Sequence, residues 1–251
     1  MTTGATRDGF SDAEAAALYD FQCPWDLDGH PENAYVSALV LAAESVLDVG
    51  CGTGSMLHVA RRAGHVGRLA GIDRDPAMLD RARRRNDIEW VLGKAEDIAW
   101  VDAFDLVTMN SNAFQCFVTD DELRASLLAI RAALRDGGRF AFGTRDVRAR
   151  AWESWHPANA ADTTLPDGRV LRGWHEVESV VGDVVTMTET TALPDDTVLR
   201  VDRAGLRFFD VPTLGRFLTE AGFQVEHQYG DWRRGPVTST SREIVTIARG
   251  T

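Results

Sequence analysis

Apolar and polar positions follow two rhythms along this chain, and the places where the rhythm changes divide it. Between Ser45 and Thr144 the short apolar runs SVLDVG, RLAGID, DIEWVLG, FDLVTMN and RFAFGT alternate with stretches of helical spacing. Strands apolar on both faces and separated by helices predict a parallel sheet covered on both sides. The helices carry their own punctuation. MLHVARRAG is amphipathic and closed by Gly64, and Asp75 caps a helix with Pro76 at its first position. Thr119 and Glu122 form a capping-box spacing ahead of LRASLLAIRAALRDGG, a helix predicted to end at Gly137-Gly138.

The flanks read differently. Ser11 and Glu14 make another capping box before AEAAALYD, a Pro/Gly-rich break CPWDLDGHP follows, and a second helix is predicted from Pro31 to about Ala43. After Thr144 come VLRGWHEVESV, DVVTMTETTAL and TVLRVDRAGLRFF, joined by turns at Gly182-Asp183 and Pro194-Asp195-Asp196. These links are too short for crossover helices, so the three runs are expected to pair antiparallel. VPTLGRFLTEAG, capped by Asp210 and ended by Gly222, is the last helix, and FQVEHQYG and REIVTIAR are the last strands. The expected organisation is a helical cap (1–44), an α/β core (45–144), an antiparallel β insertion (145–209), and a final helix with a strand pair (210–251).

The chemistry concentrates in Val46-Leu47-Asp48-Val49-Gly50-Cys51-Gly52-Thr53-Gly54, at the carboxyl end of the first core strand. Ligands of open α/β sheets bind at the carboxyl ends of the strands, and glycines there let the backbone turn sharply and approach a ligand. The spacing is D-x-G-x-G-x-G. It is not the dinucleotide fingerprint, whose third glycine would fall on Ser55, and it lacks the lysine of a phosphate-binding P-loop. Asp73 ends the next strand, where a carboxylate can accept hydrogen bonds from both hydroxyls of a ribose.

VLDVGCGTG, AGIDRDPAML, LGKAED, FDLVTMN and LRDGGRFAF, in this order and spacing, resemble the motifs of class I S-adenosylmethionine-dependent methyltransferases, closely from Ser45 to Thr144 and more loosely over the whole chain. The resemblance implies a Rossmann-like, seven-stranded, mainly parallel sheet with helices on both faces, closed by an antiparallel strand pair. It also implies the cofactor. Asp48, Gly50, Cys51, Gly52 and Gly54 would cradle its methionine part, and Asp73 would hold the ribose. Arg74 and Met78 would lie beside the adenine, with Ala95 and Glu96 at its amino group, and Met109 and Asn110 would run along the methionine chain. A methyl sulfonium is a strong electrophile, so such a protein needs chiefly to align an acceptor and exclude water.

Five of the seven tryptophans lie outside the core segment, and this suggests an aromatic-walled acceptor pocket formed by Trp25, Trp152, Trp174, Tyr229 and Trp232, with Asn112 and Gln115 orienting the acceptor by hydrogen bonds. Packing of these rings against the core is the alternative. Tyr19, His156 and His175 are the candidate bases, with Glu176 and Tyr229 behind them; a structural role for each histidine stays open.

Composition narrows the partners. Lys and Arg number 27 against 38 Asp and Glu, a formal charge of −11, so a nucleic-acid substrate is disfavoured for want of clustered positive charge. No run approaches the roughly 20 apolar residues of a membrane span. No signal peptide is visible, and Cys23, Cys51 and Cys116 show no disulfide pattern, so a cytoplasmic protein is expected. Histidine and cysteine spacings offer no metal site. The reading is a small-molecule methyltransferase acting on an oxygen, nitrogen or carbon acceptor. The insertion resembles that of sugar N-methyltransferases, where it caps the site or makes a homodimer contact. A cofactor-dependent cyclase, a decarboxylase or a non-catalytic binder of the same fold is the alternative.

Overall fold

The computed structural model describes residues 10–251. Its main sheet is built of β1 (Ser45–Val49), β2 (Arg68–Asp73), β3 (Glu89–Leu92), β4 (Phe104–Met109), β5 (Leu134–Arg145), β10 (Phe223–Tyr229) and β11 (Glu243–Gly250), in the order β10-β11-β5-β4-β1-β2-β3. β1 to β5 run parallel, and β11 enters antiparallel between β10 and β5. The chain order reverses beside β1, so the turn that leaves β1 opens onto the crevice where such sheets bind ligands.

Side-chain alternation sorts the sheet into two core layers. On one face Leu47, Val107, Phe140, Phe142 and Ile244 pack against α5 (Asp120–Ala133) and α6 (Val211–Glu220). Phe114 stacks on Phe142 in this layer, with centroids 4.2 Å apart. On the other face Val46, Leu106, Ala141, Val245 and Ile247 meet α2 (Pro31–Ala42) and α3 (Ser55–Arg62). The expected caps are present at Ser11, before α1 (Asp12–Gln22), at Asp75, before α4 (Pro76–Ala82), at Thr119 and at Asp210.

The insertion forms a separate antiparallel sheet of β6 (Ala161–Thr164), β7 (Val170–Val181), β8 (Val184–Ala192) and β9 (Val198–Arg207). β6 is short and largely exposed and has no apolar alternation, so the residue pattern does not predict it. It also carries α5 too far. The helix ends at Ala133, and β5 starts at Leu134, paired with Phe104. Gly137 (φ +73°) and Gly138 then lie within the shift of register that follows Phe104, so they form an irregularity inside the strand rather than a helix cap.

Candidate functional site

The loop after β1 takes a path only glycine follows at low cost: Gly50, Gly52 and Gly54 have φ of +71°, +54° and +73°. Gly50 and Cys51 donate their N–H groups to the Ile72 carbonyl, tying the loop to the end of β2. Gly54 lies against a wall, because a Cβ there would overlap the Trp90 ring and come within 3.1 Å of Ala82 Cβ. Gly52 faces open space, with nothing nearer to a Cβ than Tyr19 Cε1 at 4.0 Å. The Cys51 side chain packs with Leu79 and Ala82 beside Trp90, and burial pushes its thiol well up, so this residue offers the crevice its backbone.

Two aspartates frame the loop. Asp73 accepts from Gly52 N–H on Oδ2 (2.7 Å) and from Asp75 N–H on Oδ1 (2.8 Å), so each oxygen keeps acceptor capacity for a ligand. Asp48 is buried, and its Oδ1 accepts from Thr108 Oγ1 (2.8 Å) and Asn110 Nδ2 (2.9 Å). Burial, opposed by the Thr108 hydrogen bond and reinforced by the Asp73 charge, pushes Asp48 up to about 7. Asn110 Oδ1 is buried without a partner among the described residues. Beyond it, Ser111 and Asn112 hold left-handed backbone (φ +53° and +60°), a conformation costly for residues with a Cβ.

From the other side Glu32 of α2 accepts the Ser111 N–H on Oε1 at 2.9 Å, and burial raises its carboxyl, as it does that of Asp73. Carboxylates thus surround the loop at a cost that a cation would relieve. Open backbone at Gly52, spare acceptor capacity on Asp73, the unpartnered Asn110 oxygen and this surplus of negative charge fit S-adenosylmethionine, which carries an ammonium and a sulfonium. The direction of the pH effect follows. A carboxyl raised in the folded protein binds more protons there than in the unfolded chain, so Asp48 makes the ligand-free protein less stable as pH rises from about 4 to about 7. Cofactor affinity should rise over pH 6 to 8 as Asp48 ionises, and Asp48→Asn should flatten that part of the profile in calorimetric titrations; an unchanged profile would count against the assignment.

The remaining candidates fall in varied places. Arg74 is exposed and Met78 half-buried on the rim after β2, while Ala95 and Glu96 start a 3₁₀ turn in which Glu96 pairs with Lys94. Met109 turns its side chain into the α5/α6 layer. Tyr19 of α1 reaches over the loop, and burial pushes its phenol up to about 12, which makes it a donor at neutral pH and a poor base.

His156 is exposed, its Nδ1 accepting from Ala158 N–H to cap a 3₁₀ turn. His175 lies on β7 with its ring 6.0 Å from Trp155 and Nε2 3.9 Å from Glu189. Among the expected acceptor residues, Trp25 packs on the α2/α3 layer, with Nε1 donating to Ser37 Oγ. Trp232 is buried beneath Gly143 in the same layer, and Tyr229 meets Tyr35 edge-on. Trp152 stacks edge-on against Phe208 in the small core of the insertion. Trp174 pairs with Thr190 on the face of β7 opposite His175 and Val177, away from that core.

Asn112 precedes the 3₁₀ turn Ala113–Cys116, and Gln115 is fully buried, donating to the Arg207 carbonyl and accepting from Arg145 Nη1 at 2.9 Å. Trp25, Trp152, Trp232 and Gln115 are thus committed to packing and bracing. The sequence reading passes over Glu32, Trp90, Arg145 and Glu243. Strand alternation could have flagged the last two, since each is a charged residue at a strand end on the α2 face.

Comparison with known proteins bears on this geometry. Residues 46–138 match the family model described as "Methyltransferase domain". "Nodulation protein S" from Rhizobium tropici is 31% identical over 142 residues, 51% of this chain, and the chain spans 58% of that protein's length. "Cypemycin N-terminal methyltransferase" from a Streptomyces species is 28% identical over 251 residues, 94% of this chain and 96% of its own. Among solved structures, the sugar N-methyltransferase KedS8 from a Streptoalloteichus species superposes with a TM-score of 0.71 at 20% identity, covering 98% of this chain and 97% of that one, a likeness of fold. No helix among the described residues is long and apolar enough to cross a membrane.

Proposed function

We propose that the chain is a class I S-adenosylmethionine-dependent methyltransferase, as the match of residues 46–138 to a methyltransferase domain supports, and that its acceptor is an amine nitrogen of a small molecule. When bound, S-adenosylmethionine supplies an electrophilic methyl group. The observation that carries the reading is the set of carboxylates around the crevice, Asp48, Asp73 and Glu32, each raised by burial. An amine arrives at neutral pH as an ammonium, which such carboxylates attract and from which a carboxylate can take a proton. The cypemycin relative is named as an N-terminal methyltransferase, and an N-terminus is an amine, which supports the same acceptor atom.

In this reading Gly50, Gly52 and Gly54 let the backbone of the loop approach the cofactor, and Asp48 with Asn110 answers its cationic end. Asp73 takes the ribose hydroxyls, Arg74, Met78, Ala95 and Glu96 border the adenine, and the Met109 backbone lies along the methionine chain. Tyr19 lies over the loop and excludes water. Incubation with cofactor and matched pairs of amines and alcohols tests the assignment. S-adenosylhomocysteine should accumulate with amines and stay at background with their alcohol counterparts. Turnover confined to oxygen or carbon acceptors would overturn it.

A further inference from the structure

A cleft of about 630 Å³ opens at the end of β5 and the start of β11, lined in part by Arg145, Asp231, Thr238, Thr240, Ser241 and Glu243. Because β11 runs antiparallel to β5, Glu243 and Arg145 are direct register partners at the same edge of the sheet. Alternation places both on the face of Ala141, Val245 and Ile247, which is also the face of Val46 and therefore of Asp48. With strands about 4.8 Å apart, Arg145 lies roughly 10 Å and Glu243 roughly 14 Å across the sheet from the β1 strand line. The cleft and the cofactor crevice thus share one side of the sheet, and Glu32, which accepts from Ser111 N–H, stands between them close enough to act on the Arg145 charge.

Most of the lining is occupied with itself. Asp231 Oδ1 accepts from the N–H groups of Arg233 and Gly235, and the Thr238, Thr240 and Ser241 hydroxyls contact one another. Arg145 and Glu243 are different. Both are half-buried, and neither has an ion-pair partner within 4.0 Å among the described residues. Arg145 lies over the Trp155 ring, 5.6 Å from its centroid, and uses a single hydrogen bond, Nη1 to Gln115 Oε1, which fixes the guanidinium and leaves its other N–H groups for a ligand. Glu243 makes no hydrogen bond among the described residues, and burial raises its carboxyl. One fixed donor fork and one free acceptor, side by side in a cleft, are unfavourable when dry and suit a ligand that presents both oxygen acceptors and O–H or N–H donors.

We propose that Arg145 and Glu243 form the acceptor subsite and select a hydroxylated amine of the amino-sugar type, with Glu243 taking donors from the ligand and Arg145 donating to its ring or hydroxyl oxygens. This rests on the amine reading for the nitrogen but on the cleft for the hydroxyls. A bare alkylamine would leave the guanidinium unanswered, and a polyanion would meet Glu243 and Asp231.

Calorimetric titration of the protein saturated with S-adenosylhomocysteine, using D-glucosamine, n-butylamine and D-glucose as probes, tests the subsite without turnover. Glucosamine should bind at least tenfold tighter than butylamine. Glu243→Gln, which keeps the shape of the side chain, and Arg145→Lys, which keeps its charge but loses the fork, should each bring that ratio below threefold and leave S-adenosylhomocysteine affinity within twofold. A wild-type ratio near one, or a preference that survives in both variants, overturns the proposal. Glucose binding as tightly as glucosamine, with the preference still lost in the variants, would retain the subsite and discard the amine.

Discussion

Asp73→Asn is expected to raise the dissociation constant for S-adenosylhomocysteine about a hundredfold, close to 2.8 kcal/mol. Two effects combine. The carboxylate accepts from Gly52 N–H and Asp75 N–H, one on each oxygen. An asparagine can answer only one of them, and its amide NH₂ would face the other, donor against donor. That unmade bond costs about 1–3 kcal/mol and loosens the loop. The proposed ribose contacts lose their charge assistance as well, and bonds to charged groups are worth about 1.5–3 kcal/mol each. Calorimetric titration at pH 7.5 measures the sum. An affinity within threefold of wild type would remove Asp73 from the ribose assignment, whatever its role in the loop.

Gly54→Ala should lower stability by about 3 kcal/mol and the melting temperature by roughly 6–12 °C. The position has φ +73°, and the new Cβ would overlap the Trp90 ring while pressing on Ala82 Cβ. Neither neighbour yields easily. Trp90 is held by its Nε1 bond to the Arg85 carbonyl, and the Ala82 Cβ is part of a fully buried residue. If the ring is the obstacle, Trp90→Leu should relieve part of the damage, so that the double variant is less destabilised than the two single losses added together. Strict additivity in thermal unfolding would mean that the backbone angle alone carries the cost.

These two experiments probe the part of the molecule that was readable from residues in a row. A sharp turn after an apolar strand needs positive φ, only glycine adopts it cheaply, and the D-x-G-x-G-x-G spacing therefore marked the crevice before any packing was known. Caps at Ser11, Asp75, Thr119 and Asp210 were legible for the same reason, since each satisfies N–H groups two or three residues away. The misplaced boundary at Gly137-Gly138 arose where a glycine pair serves a strand irregularity as well as it would serve a helix end.

The acceptor side was not legible, because its residues are defined by what lies across from them. Trp25, Trp152 and Trp232 look alike in sequence, yet each is fixed by a core layer built from distant strands and helices. Gln115 reads as an orienting amide until Arg145 and the Arg207 carbonyl take up both its ends. Arg145 and Glu243 become neighbours only because the last strand returns antiparallel and inserts beside β5 after the whole insertion has intervened. Sequence by itself determined the parallel core, its glycine turn and the two aspartates that frame it, because turn angles, caps and periodicity act between near neighbours. Tertiary structure alone decided which aromatics are packing, which carboxylates crowd the crevice and which charges are left free in the cleft, because burial and pairing depend on the strands and helices brought opposite.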